Sequence, residues 1–160
     1  MTLARDRANG SGEIVPDLGD SAKDEARQWV LVAEDDDEMR ILIAQVLRRD
    51  GFSVLEVNNG IELQRMMEHL CTHETPPVMV ISDIRMPGLT GLDVLGTIRE
   101  WGLTLPVIII TAFADEDTLV CADYLGATAV LDKPFDMDEL RDAVQFLTRY
   151  PFSAANRGSR

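Results

Sequence analysis

Five short apolar runs recur along the chain at intervals of about 25 residues, each followed by a helical pattern. The runs are Trp29–Ala33, Phe52–Val57, the stretch Val78–Ile81 that leads to Asp83, Leu105–Ile110 and Ala127–Leu131. They are rich in Val and Ile and do not alternate with polar residues, as expected of strands buried on both faces. Helical periodicity follows each run: Met39, Ile41, Leu42, Ala44, Val46 and Leu47 up to Gly51, then Ile61–Leu70, Leu92–Trp101, Asp115–Leu125 ending at Gly126, and a last helix through Leu140, Val144, Phe146 and Leu147 to about Tyr150. Asn58-Asn59-Gly60 reads as a turn. Thr90 with Asp93, and Asp136 with Glu139, read as capping pairs. Strict alternation of this kind predicts an α/β fold: a five-stranded parallel sheet with five helices on its two faces. The pattern leaves strand order open. It does require one reversal of winding, which makes a crevice at the carboxyl ends of the strands.

The chain has 160 residues and 46% apolar content, enough for one core. Residues 28–150 read as that domain. Residues 1–27, with their Gly, Ser, Asp and Arg, read as a mobile extension in which Ser21 could cap a short helix to Gln28. Residues 151–160 read as a loose tail. The net charge of −13 argues against nucleic acid or an anionic membrane as a direct partner. No apolar run of about 18 residues occurs, and the N-terminus lacks an apolar signal core. A cytoplasmic location is therefore expected. Cys71 and Cys121 have no metal-ligand spacing and read as reduced thiols.

Chemistry collects at the strand ends. The first run stops at Glu34 and Asp35, the third at Asp83 and the fourth at Thr111; the fifth leads to Lys133. In a parallel sheet these ends share one edge, so three carboxylates, a hydroxyl and an ammonium converge. The carboxylates repel, and a hard divalent cation such as Mg²⁺ relieves that repulsion. One carboxylate could then attack phosphorus while the ion and ammonium offset charge on the transferring oxygens. Asp36, Asp37 and Glu38 read instead as the acidic first turn of a helix. His69 and His73 lie far from the cluster and read as solvated.

The stretches VLVAEDD, VMVISDIRMPGLTG, VIIITA and LDKPF, spread over residues 28–150, resemble the receiver domain of two-component response regulators, the CheY-like family. The resemblance implies a flavodoxin-like three-layer sandwich with strand order 2-1-3-4-5. It implies a phosphoacceptor rather than an enzyme. Asp83 would be phosphorylated by a sensor histidine kinase or a histidine phosphotransfer protein. Mg²⁺ would be held by Glu34, Asp35, Asp83 and the backbone carbonyl of Arg85. Thr111 would be the switch hydroxyl and Lys133 the partner of the phosphoryl group. A cis peptide is implied at Lys133–Pro134. Two places depart from the family pattern: Glu34 stands where Asp is commoner, and Val130 where Tyr or Phe is usual. The aromatic readout of the fifth strand is therefore expected to be absent. Phe113 and Arg85 stand two residues beyond Thr111 and Asp83, places that tune phosphoryl lifetime in the family.

Signalling by phosphorylation-dependent contact with a downstream protein is the leading expectation, because ten residues after Tyr150 cannot form an output domain. A longer DNA-binding regulator is the alternative. A haloacid-dehalogenase-type phosphatase is disfavoured, since it needs an acid where Arg85 stands.

Overall fold

The structure is a computed structural model and describes residues 28–150. The expected extension, its short helix from Ser21 up to Gln28 (apart from Gln28 itself) and the tail lie outside the described residues.

Five strands and five helices alternate: β1 (Trp29–Ala33), α1 (Asp37–Arg49), β2 (Ser53–Val57), α2 (Gly60–Thr72), β3 (Met79–Asp83), α3 (Gly91–Glu100), β4 (Val107–Thr111), α4 (Glu116–Leu125), β5 (Ala129–Asp132) and α5 (Met137–Arg149). All neighbouring strands are parallel, in the order β2-β1-β3-β4-β5. Successive side chains of each strand point to opposite faces. Leu31, Val80, Val107 and Ile109 enter a core with Leu63, Met67, Val94 and Ile98 of α2 and α3. Val30, Val32, Ile81, Ile108 and Ile110 enter a second core with Ile43, Leu47, Leu140 and Val144 of α1 and α5. Both faces of the sheet are covered, which is why the strands read as unbroken apolar runs.

The predicted elements are found within one or two residues. β3 and β4 extend through Asp83 and Thr111, so both polar side chains are the last residues of buried strands. α2 starts at Gly60, inside the expected turn, because Asn59 caps it by accepting the Glu62 N–H at 2.8 Å. A Cβ on Gly60 would collide with the backbone of Leu89, so glycine lets α2 press against the β3–α3 loop. Thr90 and Asp93 form the reciprocal capping box. Gly126 ends α4 in the left-handed conformation at φ 89°.

Two expectations are corrected. Asp136 precedes α5 but makes no side-chain cap; the Glu139 N–H donates to the Asp136 backbone carbonyl at 3.0 Å instead. That tight backbone turn already satisfies the donor a capping box would serve. Phe146 belongs to the apolar pattern of the last helix yet is 61% exposed. Leu140, Val144 and Leu147 form the i, i+4, i+7 stripe that faces the sheet, and Phe146 falls beside it.

Leu31 is fully buried in the central strand. Leu31→Ala is expected to lower stability by about 2–5 kcal/mol. Urea unfolding at constant m-value is the measurement.

Candidate functional site

The register brings the polar strand ends together. Ala33 pairs with Ser82, Asp83 with Ile110 and Thr111 with Asp132. Glu34 and Asp35 therefore follow β1 beside the end of β3, and Lys133 follows β5 beside the end of β4. The Glu34 N–H donates to Val57 O at 3.2 Å, extending the β1–β2 ladder by one bond. The Lys133 N–H donates to Thr111 O at 2.8 Å, and the Lys133–Pro134 peptide is cis.

Glu34, Asp83 and Thr111 are buried while Asp35 is exposed. One carboxylate oxygen from each of Glu34, Asp35 and Asp83 lies within 4.8 Å of the others. Lys133 reaches this group from the far side: Nζ is 2.9 Å from Asp83 Oδ2 and 3.0 Å from Glu34 Oε2. The contact with Asp83 is an aligned hydrogen bond. The contact with Glu34 is an ion pair only, since Oε2 is buried without an aligned donor. Glu34 Oε1 accepts the Asp36 N–H at 3.2 Å, and Asp83 Oδ1 accepts the Arg85 N–H at 3.2 Å.

Burial pushes the Glu34 carboxyl up to about 7, and nearby Asp83 adds to the rise against the pull of Lys133. Burial alone would lower the Lys133 ammonium, but Asp83 and Glu34 outweigh it and hold the group above its ordinary value. An under-partnered buried carboxylate oxygen beside two further carboxylates fits a hard divalent cation. All the offered side-chain donors are oxygens, which suits Mg²⁺ better than a soft metal.

The model of the response regulator receiver domain matches residues 30–145. The chain belongs to the response regulator receiver family. Sporulation initiation phosphotransferase F of Bacillus subtilis is 32% identical over 116 residues, which cover 72% of this chain and 90% of that protein. The DNA-binding transcriptional regulator NtrC of Escherichia coli is 42% identical over 113 residues, covering 71% of this chain but 23% of NtrC. Among solved structures, a LuxR-family DNA-binding response regulator from Staphylococcus aureus superposes with TM-score 0.68 at 30% identity, covering 75% of this chain and 98% of that one. The receiver domain of Francisella response regulator 1452 gives 0.69 at 26%, covering 77% and 98%.

Every site residue expected from the sequence of this receiver gathers at the one sheet edge. Two contacts were not foreseen. The Arg85 guanidinium lies over the Phe113 ring, 4.2 Å from its centroid, so a cation–π pair bridges the loops after β3 and β4. The signal was the equal offset of these residues from two adjacent strand ends. Arg40 donates from Nη1 to Glu34 O at 2.9 Å and from Nη2 to Asp37 at 2.7 Å, bracing the acidic loop. Thr111 Oγ1 accepts the Phe113 N–H at 3.0 Å. Val130 is half-buried on β5 against the α2–α3 core. His69 and His73 sit at the C-terminal end of α2, away from these strand ends.

The Glu34 shift has a stability consequence. With this carboxyl pushed up to about 7 in the folded protein from an ordinary 4.5, the folded protein holds the proton more tightly. That contribution is complete below about pH 4.5 and is lost as the pH climbs toward 7. In chelator, Glu34→Gln is expected to gain on wild type between about pH 5 and 8, by an amount on the order of 2 kcal/mol. Denaturant unfolding at both pH values is the check.

Proposed function

We propose that Asp83 accepts the phosphoryl group from a histidine kinase or histidine phosphotransfer protein. The supporting observation is the Lys133 ammonium, within hydrogen-bond reach of Asp83 and beside buried Glu34. Glu34, Asp35, Asp83 and the backbone carbonyl of Arg85 would hold Mg²⁺. When bound, that ion offsets charge on the phosphoryl oxygens and screens the three carboxylates from one another. An Asp83 carboxylate oxygen attacks phosphorus; the new O–P bond forms as the donor's P–N bond breaks, and its electron pair returns to the imidazole. Lys133 moves its hydrogen bond from the Asp83 carboxylate to a phosphoryl oxygen, and Thr111 offers its hydroxyl to another. Arg85 stands at the place where a phosphatase of the haloacid-dehalogenase type needs its second acid. The chain acts as a phosphoacceptor, not as an enzyme.

Output runs through protein contact on α4, β5 and α5. In α4 only Ala122 is buried, while Leu119, Val120 and Tyr124 are exposed. With Val130 at the place of the usual aromatic, either α4 and its preceding loop carry the change or the change is weak. A second reading has this receiver as the regulatory part of a longer DNA-binding protein. The likeness to NtrC, of which the chain spans 23%, favours it. In either reading it works in the cytoplasm; no helix among the described residues is long and apolar enough to cross a membrane.

Acetyl phosphate with Mg²⁺, followed by intact-mass measurement, is expected to add one phosphoryl group to wild type and none to Asp83→Asn. Equal labelling of both would reject Asp83 as the acceptor. The Arg85–Phe113 pair shields the acyl phosphate from water. Phe113→Gly is expected to shorten its half-life, followed as phosphate release; an unchanged half-life contradicts the shield.

A further inference from the structure

His69 and His73 are the two histidines of the chain, and phosphotransfer at Asp83 uses neither. They stand one helical turn apart, His69 in the last turn of α2 and His73 as its C-cap. Their ring centroids are 4.1 Å apart and the planes are tilted by 36°. His73 Nδ1 lies 2.8 Å from the backbone carbonyl oxygen of His69. A carbonyl only accepts, so Nδ1 carries the proton, and in the neutral ring the lone pair sits on Nε2. This is how metal-ligating imidazoles are held: one nitrogen donates to a backbone carbonyl, which fixes tautomer and ring direction and leaves the other free to ligate.

Three further observations point the same way. The i, i+4 spacing puts both rings on one helix face. Metal–nitrogen bonds of about 2.0–2.1 Å put two ligand nitrogens of one ion roughly 3 Å apart, and these two ring centroids are themselves 4.1 Å apart. The carboxyl end of a helix carries partial negative charge that favours a cation. Cys71 lies between the two in sequence but points about half a turn away, and it is half-buried.

We propose that His69 and His73 form a bidentate imidazole site for a late first-row divalent ion, Ni²⁺, Cu²⁺ or Zn²⁺, with water completing the coordination shell. Imidazole prefers these ions, whereas Mg²⁺ prefers the oxygens of the acid pocket. The two sites also lie at opposite edges of the sheet. α2 ends where the connector to the start of β3 begins, and Asp83 is at the far end of β3. A bound ion would tie the last turn of α2 to the connector that follows it.

The test uses untagged full-length protein carrying Cys121→Ser, to remove the exposed thiol, in saturating Mg²⁺, which occupies the acid pocket. Calorimetric titration with Ni²⁺ is expected to give one ion per chain. His69→Ala and His73→Ala are each expected to weaken binding about 100-fold, the low end of the gain from joining two binding groups. Far-UV circular dichroism checks that each variant is folded. Absence of Ni²⁺ binding by the parent, or undiminished binding by folded variants, overturns the site.

Discussion

A single ammonium holds the site together. Lys133 stands between the carboxylates of Glu34 and Asp83, which come from different strands and are both removed from water. Two buried carboxylates at this range repel strongly, and one lysine offsets only part of that repulsion. Burial is the main cause of the raised Glu34 pKa and nearby Asp83 adds to it, while Glu34 Oε2 is left without an aligned donor. A pocket in this condition is prepared for added positive charge. In the proposed reading a divalent cation would supply it, offsetting the acidic excess of Glu34, Asp35 and Asp83 before the phosphoryl group adds its own negative charge.

The rest of the fold serves to keep these groups in place. Apolar strands covered on both faces give rigid ends, and parallel pairing puts those ends on one edge. The supports next to the site are polar and local. Arg40 braces the carbonyl of Glu34, and Gly60 allows α2 to pack against the loop that carries Arg85. Arg99 fastens the opposite edge by donating to the carbonyls of Leu103, Leu105 and Gly126. The Arg85–Phe113 pair is different in kind. It is exposed and made of one weak contact, worth roughly 0.5–1 kcal/mol, so it can open at little cost.

Much of this was legible in the residues. Where an apolar run breaks at a carboxylate, as at Asp83, the break marks both a strand end and a site. Thr90 and Asp93 were readable as a cap because both donors they serve are otherwise unpaired. Asp136 and Glu139 have the same spacing, but there the backbone carbonyl serves the donor, which spacing does not reveal. Phe146 misled because apolar character shows a preference for burial and not the face on which the sheet lies. Strand order came from family resemblance alone; periodicity describes each element and says nothing of its neighbours. The Arg85–Phe113 contact was hidden for a related reason, since it joins loops 28 residues apart in sequence.

The central claim is that three carboxylates from the ends of β1 and β3 form one cation site. The most direct measurement is anomalous diffraction from crystals soaked in Mn²⁺, an oxygen-preferring stand-in for Mg²⁺. The account predicts a peak within coordination distance of Asp35 and Asp83, with Glu34 reaching it directly or through water. An empty pocket under saturating Mn²⁺, with Lys133 still bridging Glu34 and Asp83, would contradict it.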